Sequence, residues 1–378
     1  MIRKNFLLFL IFFIWIISDI FDYQYRGVSQ IIRTAIILTA VFILPRKITL
    51  SISSFLIISI LCLLSFALNY PNGNYIFSVR LWVLVNSTII FFNIFSSLKN
   101  SDILNFLTLS SFLISLQVIL ALFMGIEVYD ASSSFGGSKG FMTSTNQLSY
   151  LILILLSSNL MIISVRLLRN HKLNRMGMIN LFVVILLFFT AFLVTTKVVM
   201  FGAIIIVMIF IYSFSKRISV AFAMLLGFSF FITDYSELLI TLSQNFSSIY
   251  RITFEMSYSD DILNIISSGR WERIQEYAIE LMNSSWLIPS RDKFVNFESD
   301  LFDVIYNFGF FGLGVFIIFS IRLFMFLNCK NNVFRITLLI IILASILSGH
   351  FLSAILLSPF LALFGLIATK NRDILRHK

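Results

Sequence analysis

Residues 234–297 interrupt a chain otherwise built of apolar runs, and they carry Arg251, Arg270, Arg273, Arg291 and Lys293. Arg270 lies in Ser267-Ser268-Gly269-Arg270-Trp271. Guanidinium groups suit one chemistry above others, bidentate hydrogen bonding to the oxygens of phosphate or carboxylate. Ser268 is a candidate N-cap, with Gly269 and Arg270 opening the helix. Unpaired N–H groups and a partial positive charge at such a helix start add to an anion site. For one arginine alone, pairing with a nearby acid such as Glu272 is the stronger reading. The company of the other cations makes the anion site the sharper expectation.

Further groups of the same kind lie outside this stretch. Arg80, in Tyr75-Ile76-Phe77-Ser78-Val79-Arg80, falls inside an apolar run, where a charge costs roughly 2.5–3.5 kcal/mol. It either snorkels to the headgroups or lines a polar pocket, and Arg33 poses the same choice. Lys197 ends Thr195-Thr196-Lys197, a tight corner between two apolar runs that either points at a cavity or caps helix ends. Glu298 and Asp300 precede another apolar run. A carboxylate facing an arginine cluster can take a proton from an attacking hydroxyl, while an acid at a helix start can simply cap it. Asp300 suits the capping role better than Glu298. Asn146, near the start of a run, could bind a sugar hydroxyl or cap the helix.

The elements that must position these groups are membrane helices. Mean hydropathy is +0.97, and 59% of the 378 residues are hydrophobic, far outside the range of soluble domains. Apolar runs of about 17–25 residues recur along the chain, each long enough to cross the hydrocarbon layer. They predict spans near 5–21, 28–44, 48–68, 76–98, 102–125, 144–165, 178–195, 198–214, 218–233, 301–327, 333–349 and 351–369. The first has a basic start without a small-residue cleavage site and reads as a retained span. An N-terminus in the cytoplasm puts most of the 28 Lys and Arg on the cytoplasmic side, as the positive-inside rule requires. Residues 234–297 then face outward, and the net charge of +10 reports topology, not nucleic-acid binding.

The expected fold is therefore all-α, a polytopic integral membrane bundle of about 12 transmembrane helices with a large extracytoplasmic helical loop. Residues 1–233 hold the first nine spans, 234–300 the loop, and 301–378 the last three spans and the cytoplasmic tail. Inside the loop, Trp271, Ile274, Ala278 and Leu281 share one face of a helix over 270–281. The two cysteines, Cys62 and Cys329, have no zinc spacing. The three histidines are scattered, so no metal site and no cofactor are expected.

The order of these pieces carries a resemblance. A Gly-x-x-x-x-x-Asn segment (Gly140 to Asn146) opens a span, and a Thr-Thr-Lys corner joins two short ones. An outward loop follows with Ser268-Gly269-Arg270 and a helix. An acid, Glu298, then precedes a span reading Gly309-x-x-Gly312. This is similar to the O-antigen polymerase and O-antigen ligase superfamily, over roughly residues 75–365. The resemblance implies a metal-independent glycosyltransferase of GT-C-like fold in the bacterial cytoplasmic (inner) membrane, with both termini cytoplasmic. Its donor would be an undecaprenyl-diphosphate-linked oligosaccharide. Arg80, Lys197, Arg251, Arg270, Arg273 and Arg291 would hold the diphosphate, Asn146 would touch a sugar, and Glu298 would be the base.

Ligases typically carry His where Glu298 stands, which favours a polymerase, whose acceptor is another lipid-linked repeat unit. A ligase-type transferase is the alternative within the class, and a lipid-linked oligosaccharide flippase the alternative outside it. The bilayer, a chain-length regulator and a flippase would be the partners.

Overall fold

The apolar runs fold as helices because lipid offers backbone N–H and C=O groups no partner, and a helix satisfies them internally. The computed structural model describes residues 10–11, 13–18, 28–43, 52–70, 75–125, 140–142, 144–170, 175–194, 196–216, 218–220, 270–277, 279, 287–289, 295, 297, 299–327 and 332–370. Every secondary-structure element among them is helical. In chain order they are α1 (Val28–Ile43), α2 (Ile52–Asn69), α3 (Tyr75–Ser96), α4 (Asn100–Phe123), α5 (Thr145–Asn170), α6 (Arg175–Leu193) and α7 (Lys197–Phe214). Then follow α8 (Arg270–Glu276), α9 (Asp300–Leu327), α10 (Asn332–Ser348), a 3₁₀ turn (Ile355–Leu357) and α11 (Ser358–Lys370).

Four stretches are long and apolar enough to cross a membrane: Tyr75–Ser96, Asn100–Phe123, Thr145–Ser164 and Asp300–Ile318. Shorter apolar helices of 10–17 residues accompany them, so the chain has the make-up of a helical membrane protein.

The bundle is organised around α5. Its apolar stretch is 94% buried, and it packs on α4, α6, α7, α10 and α11. Small polar residues let the helices approach and then bond across the contact. The Asn159 amide donates to the Ser111 hydroxyl at 2.9 Å, and the hydroxyls of Ser157 and Thr337 lie 2.6 Å apart. Lipid is as apolar as leucine, so these pairs and close packing, more than water exclusion, hold α5 to α4 and α10.

A second layer, α2, α3 and α9, packs on α11 chiefly through α3. Residues 13–18 join it through Trp15, whose indole N–H donates to the Leu356 carbonyl at 3.2 Å. Arg33 is buried within the protein, 6% exposed, with its guanidinium over the Trp15 ring at 5.6 Å.

The last span departs from the sequence expectation. A continuous helix over 351–369 is predicted, but 349–354 is an irregular turn, and α11 has only 13 residues, about 20 Å of rise. Hydropathy sees apolar side chains and is blind to where the backbone turns.

Candidate functional site

At one end of the bundle the ends of α2 and α10 meet the starts of α3, α5, α7 and α9, and polar groups gather there. On the α2–α3 side, the Ser65 hydroxyl donates to the Asn307 carbonyl at 2.9 Å and lies 2.8 Å from the Ser78 hydroxyl. This interaction has a cause in α9, where Gly309 takes φ 66° and ψ −174°, values no α-helix contains. The hydrogen-bond ladder is interrupted there, and carbonyls before the break need other partners. Gly312 completes the bend, because a Cβ at that position would collide with the Phe308 Cβ. The Gly309-x-x-Gly312 pattern is thus a helix break packed against α2. Arg80 stands half-buried on α3, beside Ser78 and Leu81, which face inward.

The loop helix α8 docks on the start of α9. Ile274, Val295, Phe297, Ile305 and Tyr306 form one apolar cluster, with Trp271 and Tyr277 packed against it. The Tyr277 and Phe297 rings meet edge to face at 6.1 Å. Trp271 and Ile274 therefore share the inward face that the sequence predicts, although the helix is described only over 270–276. Arg270 opens α8 and Arg273 follows one turn on. The chain leading into α9 is pinned on both sides of position 298. The Phe297 N–H donates to Asp303 Oδ1 at 3.0 Å, and the Ser299 hydroxyl donates to the Ile346 carbonyl at 2.5 Å. Glu298 itself, Arg251 and Arg291 lie outside the described residues. The loop's exit is also anchored: the Asn69 amide donates to the Pro289 carbonyl at 3.3 Å.

The turn between α10 and the 3₁₀ element is built most tightly. Asp300 does not spend its carboxylate on capping its own helix. Its Oδ2 accepts the N–H groups of Phe351 at 2.9 Å and Leu352 at 3.0 Å. The Tyr150 hydroxyl donates to the Gly349 carbonyl at 2.9 Å, and the Tyr150 and Phe351 rings meet at 5.3 Å. Asn146 lies one helical turn before Tyr150, on the same side of α5, and is half-buried. As the second residue of α5 it sits inside the helix, not at the N-cap position.

Thr196, from the Thr-Thr-Lys corner, takes the capping half of the expectation. Its hydroxyl accepts the Val199 N–H at 3.4 Å and lies 2.6 Å from the Ser149 hydroxyl. Lys197 is the first residue of α7. Gly140 has φ +63° and stands where any Cβ would collide with the Gln117 amide, whose Oε1 accepts the Phe141 N–H at 2.7 Å. The chain must pass close over Gln117 to enter α5, and only glycine allows it.

Arg80, Asn146, the helix starts at Lys197 and Arg270, and the two anchors around position 298 thus belong to one end of the bundle. No family model, curated protein or solved structure matches this chain.

One residue that the sequence analysis leaves unassigned belongs with them. His350 has φ 66°, the only positive-φ residue other than glycine among the described residues, and it follows Gly349 at φ 59°. The signal available in sequence was a Gly-His pair between two apolar runs, which reads as an ordinary short connection.

Proposed function

We propose that the protein is a membrane glycosyltransferase that joins oligosaccharide repeat units carried on polyprenyl diphosphate, a polysaccharide polymerase of about 12 spans working on the outer face of the cytoplasmic membrane. One observation carries the reading. The helix that opens with Arg270 is packed through Trp271 and Ile274 onto the segment that holds position 298, at the same end of the bundle as Arg80, Asn146 and the start of α7. In this reading the loop helix supplies cations, and Glu298 the base, at the end of the bundle where α8 docks on α9, with membrane helices alongside for a lipid tail.

In this scheme Arg80, Lys197, Arg270 and Arg273, with Arg251 and Arg291, neutralise the diphosphate so that it can depart without a metal. Glu298 takes the proton of the acceptor hydroxyl. The hydroxyl oxygen bonds to the anomeric carbon as the bond from that carbon to the diphosphate oxygen breaks, and the diphosphate leaves with the electron pair. Asn146 touches a sugar of the substrate.

The test is a gel of surface glycan from cells lacking this chain. A lost ladder with a single repeat unit still attached to its acceptor supports the polymerase. Loss of all attached glycan, with long polymer kept on the polyprenyl carrier, means a ligase-type transferase. An unchanged ladder overturns the proposal.

A further inference from the structure

Inside the bundle a buried polar group has no bulk water to turn to, so its hydrogen bonds can be counted atom by atom. Asn159 and Ser111, which join α5 to α4, are both fully buried. The Asn159 amide has two N–H protons and uses both. One goes to the Ser111 hydroxyl at 2.9 Å, the other to the Leu155 carbonyl at 2.9 Å. Rotating the amide would set its oxygen against the Leu155 carbonyl, another acceptor, so these partners fix its orientation. Its Oδ1 then has no hydrogen-bond partner in the protein.

The Ser111 hydroxyl donates its single proton to the Leu107 carbonyl at 2.8 Å and accepts from Asn159, which leaves it one lone pair. Ser115, one turn further along α4, is fully buried too, and its hydroxyl has no partner in the protein. α4 and α5 run antiparallel here: Gln117 of α4 binds Phe141, just ahead of α5, while Ser111 binds Asn159, farther along it. The bond from Asn159 to Leu155 shows that its side chain leans towards the start of α5. That is the direction in which α4 passes from Ser111 to Ser115. These two serines share a face of α4, with about 5–6 Å between their Cβ atoms. Two hydrogen bonds through one water oxygen span about 5.5 Å.

We propose that the α4–α5 contact binds one internal water, held by Asn159 Oδ1, Ser111 Oγ and Ser115 Oγ. The water donates to Asn159 and to the remaining lone pair of Ser111, and it accepts the Ser115 proton. Three polar partners are what an internal water typically has. A hard cation fits poorly. Ca²⁺ and Mg²⁺ take about six or more oxygen ligands, carboxylates among them, and these three groups are few and neutral. The water completes the joint between the central helix and its neighbour, independently of the glycan-transfer reading.

The sign of one substitution tests this. Were the Ser115 hydroxyl simply buried and unpaired, Ser115→Ala would remove an unsatisfied group and leave the melting temperature in detergent unchanged or raised. With the water in place, the same change strips it of a donor. We expect Ser115→Ala to melt lower by roughly 1–3 °C. The effect should also require the other partner. In an Asn159→Leu background the water has already lost its acceptor, so adding Ser115→Ala should lower the melting temperature by at most about half as much.

A melting temperature of Ser115→Ala at or above that of wild type would overturn the proposal, as would an equal loss in both backgrounds. Should Asn159→Leu not accumulate, a map of the wild-type chain fine enough to show ordered waters serves in its place. A peak within about 2.7–3.2 Å of Asn159 Oδ1 and Ser115 Oγ is expected. A direct bond between those two atoms, or no peak, would overturn it. So would a wild-type melting temperature that rises when sodium replaces choline at constant ionic strength, with no such rise in Ser115→Ala, because that would place a cation at the site.

Discussion

The hydroxyl of Ser65 on α2 donates to the backbone carbonyl of Asn307 on α9 at 2.9 Å, two residues before the helix breaks at Gly309. Ser65 and Asn307 are both fully buried, so that carbonyl has no water to turn to. Ser65→Ala should cost about 1–3 kcal/mol, the penalty of a buried unpaired acceptor, read as a lower melting temperature in detergent.

The same break separates two neighbouring glycines. A methyl at Gly312 would run into Phe308, while Gly314 has open space around it. Gly312→Ala is expected to lower the melting temperature and the yield of folded protein. Gly314→Ala should leave both unchanged. Equal behaviour of the two variants would remove the case for a packed bend at 309–312.

Gly140→Ala combines a left-handed φ with a collision against Gln117, and the backbone term alone is roughly 1–2 kcal/mol. Adding Gln117→Ala should relieve the collision but not the backbone cost. A double-mutant cycle should therefore return part of the lost stability.

Asp300→Ala leaves the Phe351 and Leu352 N–H groups without their shared acceptor. Hydrogen bonds to a charged group contribute about 1.5–3 kcal/mol each. The expected result is a protein destabilised by several kcal/mol, with protease cleavage appearing near 349–354. Little change in melting temperature would show that Asp300 does not hold the turn.

At the proposed diphosphate site, Arg270→Ala and Glu298→Ala should each abolish chain extension while the protein stays inserted and abundant. Arg270→Lys keeps the charge but loses the planar fork, so its activity should fall well below wild type. Full activity of Arg270→Lys, assayed by the glycan ladder, would rule out bidentate recognition there.

Most of the helices were legible in the sequence. Periods of apolar residues about a membrane thickness long give α3, α4, α5, α6, α7, α9 and α10 to within a few residues, because in lipid the backbone has no alternative to a helix. The inward face of α8 was legible for the same reason of spacing, through Trp271 and Ile274. Arg270, Arg80, Asn146 and Lys197 stood out because charge and amide are conspicuous among apolar runs.

Tertiary structure decided what hydropathy cannot encode. Phe351 and Leu352 are apolar enough for a span, yet their N–H groups bond to Asp300, some fifty residues earlier in the chain, and the helix begins only after them. Asp300 looks in sequence like a cap for its own helix. Only the approach of α10 and α11 makes it the acceptor for another segment. His350 stays inconspicuous until its backbone is seen at φ 66°. Local patterning fixes which residues are helical, because it depends on neighbours within a turn. Which buried donor meets which acceptor depends on contacts distant in sequence, and those exist only once the bundle has closed.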